Sequence, residues 1–148
     1  MTRTRGWALA LATVGTVTAF DQLTKAWAVA AIAPGERNNI FFGLDLVRVR
    51  NTGVAFGALS GKGVLVLIAV GIALTLLLVY FARHVTTPAL WLPVGLVFGG
   101  AFGNLADRAR IHGVIDFIDP ILWPAFNLAD AAIVIGVLGV LYIAEAQR

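Results

Sequence analysis

Cysteine is absent from the 148-residue chain, and Ser60 is its only serine. Without thiols there are no disulfides, no cysteine-rich zinc sites and no cysteine nucleophile. Ser60 and Lys62 sketch a serine–lysine dyad, but they sit in a Gly-rich turn and are set aside. The two histidines, His84 and His112, are far apart, no H-E-x-x-H pattern occurs, and both read as solvated loop residues. Charge is also scarce, at 13% of residues. The acidic set is Asp21, Glu36, Asp45, Asp107, Asp116, Asp119, Asp130 and Glu145. By elimination, any hydrolytic chemistry rests on aspartate, with no metal and no cofactor required.

What fills the chain is apolar: 59% hydrophobic residues and a mean hydropathy of +0.89, the composition of an integral membrane protein. Four runs with little or no charge stand out, at about 7–33, 64–82, 86–106 and 123–144. Each is near the ~20 residues that cross a hydrocarbon core, and four crossings put both termini on one side. Trp7, Trp27, Trp91, Trp123, Tyr80 and Tyr142 fall near span ends, as an interfacial aromatic belt requires. Ala28-Val29-Ala30 has the form of a signal-peptide cleavage site, but Asp21 and Lys25 interrupt the approach, so the segment is kept as the first helix. No linker divides the chain, which is expected to form a single membrane-embedded domain over residues 1–148. The net charge of +3 is scattered over loops and span ends, which favours anionic lipid headgroups over nucleic acid as the partner.

The longest connection, about 34–62, contains L-D-L-V-R-V-R, whose alternation has the period of a strand. Phe41 and Phe42 suggest that this β element rests on the bilayer surface. The third connection ends in P-I-L-W-P, read as an interfacial segment with Asp119 in a turn before Pro120. Gly95, Gly99 and Gly103, spaced by four, offer a face that another helix can approach at backbone distance.

An up-and-down arrangement brings Asp21, Asn51, Asn104, Asp107, Arg108, Asp116, Asn127 and Asp130 to one membrane face. Asn104, Asp107 and Arg108 form one helical patch, in which Arg108 can hold Asp107 or a substrate carbonyl. Lys25, one turn from Asp21, is a candidate ion-pair partner. If the fourth helix enters near Pro124, Asp130 lies roughly 9 Å along it, at ~1.5 Å per residue. A lone aspartate inside a membrane helix costs roughly 2.5–3.5 kcal/mol, so it usually faces a partner or a wet cavity. Asp116 and Asp130 are therefore expected to meet and share a proton, one acting as base and the other as acid.

Five ordered blocks, D-Q-L-T-K (21–25), N-T-G-V-A-F (51–56), G-G-A-F-G-N-L-A-D-R (99–108), G-V-I-D-F (113–117) and F-N-L-A-D (126–130), resemble the motif set of the bacterial lipoprotein signal peptidases. The resemblance covers nearly the whole chain. It implies an aspartic endopeptidase of the bacterial inner membrane, sensitive to globomycin, that cuts diacylglyceryl-modified prolipoproteins before the lipidated cysteine. It implies Asp116 and Asp130 as the catalytic pair. Asp21, Lys25, Asn51, Gly53, Asn104, Asp107, Arg108 and Asn127 become supporting or substrate-binding positions. The expected fold is all-α, four transmembrane helices with a small extracytoplasmic β element between the first two, both termini cytoplasmic, working as a monomer.

Three rivals are weaker; one, a different aspartyl intramembrane protease, would carry a Gly-x-Gly-Asp signature that is missing here. A proton-coupled transporter needs ionisable residues through the membrane depth, and a non-enzymatic assembly factor leaves the aspartate pair unexplained. Charge alone orients the chain poorly: seven Lys and Arg fall on the site face and four on the other, against the positive-inside tendency. The outward-facing site is taken from the resemblance.

Overall fold

The computed structural model describes residues 1–53 and 63–147. Its elements are α1 (Arg3–Ala31), β1 (Arg37–Phe41), β2 (Leu44–Asn51), α2 (Gly63–His84), α3 (Trp91–Ile111), β3 (Val114–Pro120) and α4 (Leu128–Glu145). Val54–Phe56 of the second motif and the Ser60–Lys62 pair lie outside the described residues.

Helices α1 and α3 touch because α3 carries no side chain where one would collide. A Cβ on Gly95 would fall 2.5 Å from Thr13 Cβ, one on Gly99 2.7 Å from Val17 Cβ, and one on Gly103 would strike Asp21 Oδ2. The contacts advance in step, so the two helices run in the same direction. The other side of α3 takes α4 antiparallel: Gly100 abuts Ala129, while Gly136 abuts Pro93 and Val97. The end of α2 returns to the start of α1. There Gly6 lies under Val85, and Trp7 meets Phe81 edge to face at 4.9 Å. Ala10, Phe81, Val85, Leu90 and Val94 form a buried apolar core at this end. The outward faces are apolar as well: Leu11, Phe20, Ile72, Leu76, Ile135 and Leu138 are each more than half exposed. Among the described residues one helix, Leu128–Glu145, is long and apolar enough to cross a membrane by length and composition, and Ile68–His84 is a shorter apolar helix.

At the opposite end the sheet docks. Its order is β1-β2-β3, antiparallel throughout, with Val49 opposite Asp116 and Asn51 opposite Val114. Phe117 packs into a second buried cluster with Ala28 and Ile32, so β3 is fastened across the end of α1. The tips carry Phe41 and Phe42, 73% and 94% exposed, next to Ile121 and Leu122, whose exposure is similar. Such an apolar tip suits a lipid surface.

Several expectations need correction. The fold is helices plus a three-stranded sheet rather than all-α, and its third strand lies beyond α3, outside the expected β element. V-I-D-F is buried on both faces, so it lacks the alternation that marks a half-exposed strand. Asp119 stands in β3, ion-paired with Arg37, not in a turn. His84 closes α2, stacked on Tyr80. Helix α3 starts at Trp91 rather than Thr86, because Pro88 biases its predecessor away from helix. Helix α4 starts at Leu128 rather than Trp123, because Phe126 is tied by backbone hydrogen bonds to Ile118 of β3.

Gly99→Leu should destabilise the protein by about 1–3 kcal/mol, the usual cost of overpacking a closed contact. Gly15→Ala is the control: nothing lies within 4 Å of its added Cβ, and alanine favours helix over glycine by about 1 kcal/mol. Thermal unfolding in detergent should lower the first midpoint and not the second. A Gly99→Leu protein as stable as its parent would contradict the seam.

Candidate active site

Phe117 points into the apolar cluster, and its neighbour Asp116 therefore faces the other way, toward α3 and α4. Asp116 is only 2% exposed. Both of its oxygens are held by amides: Oδ1 accepts from Asn127 Nδ2 at 2.7 Å and Oδ2 from Asn51 Nδ2 at 3.0 Å. Asn51 reaches Asp116 as a diagonal cross-strand neighbour. Its own Oδ1 accepts from Gly53 N at 2.9 Å, and Gly53 has φ +79°, a left-handed turn in which other residues are strained. Gly53 thus fixes which way the Asn51 amide faces.

Asp130 is half-buried in the first turn of α4, not several residues inside it. Asn127 is the N-cap, taking the Asp130 N–H at 3.0 Å, while Asp130 Oδ2 accepts from Asn127 N at 3.2 Å. This reciprocal capping box satisfies helix-end donors that would otherwise be orphaned. The other oxygen, Oδ1, accepts from Asn104 Nδ2 at 2.8 Å. Asn127 thus bonds both aspartates, and Asn104 braces it at 3.2 Å.

Behind the pair lies a charged support. Lys25 Nζ sits 2.8 Å from Asp21 and 3.0 Å from Asp107, all three nearly inaccessible, and donates to Asn104 Oδ1 at 2.9 Å. Asp21 also accepts from Ala129 N at 3.0 Å, and Asp107 from Ile115 N at 3.3 Å. One ammonium therefore ties α1 to α3, and its carboxylates hold the start of α4 and β3. Among the described residues no buried side-chain nitrogen or oxygen lacks a partner.

Burial raises Asp116 above the usual carboxylate range; the amides of Asn51 and Asn127 oppose this, the charge of Asp130 adds to it, and Lys25 opposes it. Two carboxyls held in this way, one of them raised by burial and by the charge of the other, suit paired acid and base chemistry. Among the described residues no group of three or more His, Asp or Glu is placed to hold a metal ion.

One expected role differs. Arg108 does not hold Asp107; it is exposed and donates to Asn104 O at 3.3 Å, while Lys25 and Arg110 pair with Asp107. Asp21 and Lys25 are buried within the support. Gln22 went unread: its amide donates to Asp21, Asp107 and the Gly103 carbonyl, and its oxygen accepts from Arg110. The signal was its place between Asp21 and Lys25 in D-Q-L-T-K. The capping box was equally open to reading, since Asn followed by an acid three residues on is a helix-start signature.

The profile of the family described as Signal peptidase (SPase) II matches residues 13–145. A lipoprotein signal peptidase of Syntrophomonas wolfei is 43% identical over 135 residues, covering 89% of this chain and 91% of its relative. One from Moorella thermoacetica is 43% identical over 126 residues, covering 82% and 83%. Two solved bacterial membrane enzymes superpose. One has a TM-score of 0.77 and 32% identity, covering 93% of this chain and 87% of the other. The second has a TM-score of 0.73 and 33% identity, covering 91% and 90%. With the family profile spanning most of its length and relatives above 40% identity, this chain belongs to the signal peptidase II family.

Proposed function

We propose that this member of the signal peptidase II family removes signal peptides from diacylglyceryl-modified prolipoproteins, using water activated between Asp116 and Asp130. The observation that carries the reading is one residue, Asn127, that donates to both carboxylates, from its side-chain Nδ2 to Asp116 and from its backbone N–H to Asp130. One carboxylate takes a proton from water as its oxygen attacks the scissile carbonyl carbon. The protonated partner gives its hydrogen to the carbonyl oxygen, forming a tetrahedral diol. When the C–N bond breaks, a proton passes to the leaving nitrogen and the pair again holds one proton. The titration belongs to the pair, so neither aspartate is assigned a fixed role. Asn51, Asn104 and Asn127 orient the carboxylates without adding charge. Arg108, exposed one turn beyond Asn104, is suited to a substrate carbonyl.

The lipid-borne substrate accords with the apolar outer faces of the helices. We take α1 to α4 as four spans of the bacterial inner membrane, with both termini cytoplasmic and the aspartate end extracytoplasmic. The apolar tip at Phe41, Phe42, Ile121 and Leu122 then rests on the outer leaflet. The chain works as a single peptidase unit and as a monomer.

Asp116→Asn and Asp130→Asn should each lower cleavage of lipidated prolipoprotein by about 10²–10⁴-fold, with the protein still inserted. Near-normal turnover by either variant, assayed with purified protein with and without globomycin, would overturn the pair. The pH profile tests its electrostatics. Asn51 donates to the charged form of Asp116, so Asn51→Ala should raise that carboxyl further and move the alkaline limb of kcat/KM upward; an unmoved or lowered limb counts against the assignment. Lys25→Met should cost about 3–5 kcal/mol, because two buried carboxylates lose their shared cation. Thermal unfolding indistinguishable from the parent would remove Lys25 from its supporting role.

A further inference from the structure

A cavity of about 740 Å³ opens between the C-terminal ends of α1 and α3 and the strand β2. It borders the buried support at Lys25 and Asp107, but its walls include neither Asp116 nor Asp130. Nothing in the peptidase reading uses it. Its available charge is one-sided: Arg48, Arg50 and Arg110 line it, while Lys25 at its edge is already paired with Asp21 and Asp107.

Each arginine already has a structural duty. Arg48 donates to Val29 O at 3.1 Å, in the last turn of α1, and Arg50 donates to Ile111 O, at the end of α3. Gly113 makes room for the second contact, since a Cβ there would lie 3.1 Å from Arg50 Cγ. Arg110 bonds Gln22, Asp107 and Ala106 O. Capping a carbonyl uses one N–H of a guanidinium that carries several, and the fork left over suits phosphate oxygens. Helix caps alone would not need three arginines around one open space.

Most of the remaining wall is apolar, with Ala26, Val29, Pro34, Ile111 and Ile115 beside Gln22 and His112. Below it, exposed Ala19 on α1 and Phe102 on α3, 47% exposed, continue the apolar surface down the helices. A free inorganic ion has no use for such a wall, whereas the glycerol and acyl part of a lipid does. We propose that this cavity binds the phosphate headgroup of an anionic phospholipid, held by Arg48, Arg50 and Arg110, with the acyl chains lying on the apolar flanks of α1 and α3. The choice of a lipid over free phosphate rests on the membrane-embedded reading above.

The test uses the full chain purified in detergent, with bound lipid counted by native mass spectrometry. Dioleoylphosphatidylglycerol should bind about tenfold or more tightly than dioleoylphosphatidylcholine, and Arg48→Gln/Arg50→Gln should erase the difference, as expected for two basic contacts near a membrane surface. Equal binding of the two lipids, or unchanged preference in the double variant, overturns the site. Inorganic phosphate that displaces the lipid at matched concentration overturns the lipid assignment. Should the double variant fail to fold, the unaltered protein still decides. A phosphatidylglycerol analogue with a photoreactive headgroup should label residues 46–50 and 106–113, and labelling confined to α2 or α4 refutes the proposal. Cleavage is not the readout, so the result is independent of the Asp116–Asp130 assignment.

Discussion

Asn127 is the residue that holds both aspartates, one through its side chain and the other through its backbone. Its Nδ2 holds Asp116 on the sheet, and its Oδ1 and backbone hold Asp130 on α4. Carboxyls taken out of water must be given donors or they are costly. Donors that are themselves cations would stabilise both carboxylates as anions and leave no proton to share. Asparagine avoids this: three of them satisfy the pair without adding charge. Inside a low-dielectric site such bonds are strong when complete, which also makes the arrangement rigid.

Cationic charge is kept one layer back. Lys25 bonds Asp21, Asp107 and Asn104, so its influence reaches the pair through an amide rather than by direct contact. This layer exists only because the helices come close. Gly103 leaves the space Asp21 occupies, and the glycines above it on α3 hold the helices at that spacing along their length. Packing and electrostatics are one constraint here. A side chain inserted into the seam would move the ammonium as well as the backbone.

Polarity is distributed inside out. The bundle's flanks are apolar and exposed, while its buried charges gather at the end where the sheet sits. Under the proposed function, a lipid-anchored substrate would bring its peptide bond from the bilayer toward these buried polar groups. The same end carries the arginine-lined cavity and the apolar strand tips.

Much of this was legible in the chain. Scarcity of charge, absence of thiols and five ordered polar blocks single out aspartate chemistry in a greasy bundle, and the glycines at four-residue steps identify the seam of α3. Their legibility has a physical cause: helix periodicity and the cost of a charge in lipid are local properties. Strand β3 was not legible, because burial on both faces removes the alternation by which strands are recognised. Nor was the partner of Asp107, where Arg108 is adjacent in sequence but Lys25 and Arg110 hold it. Residue types and spacing determined which groups would carry charge and which helix faces would close. Only tertiary packing decided which amide meets which carboxylate, because hydrogen bonds of about 3 Å depend on how separate elements dock.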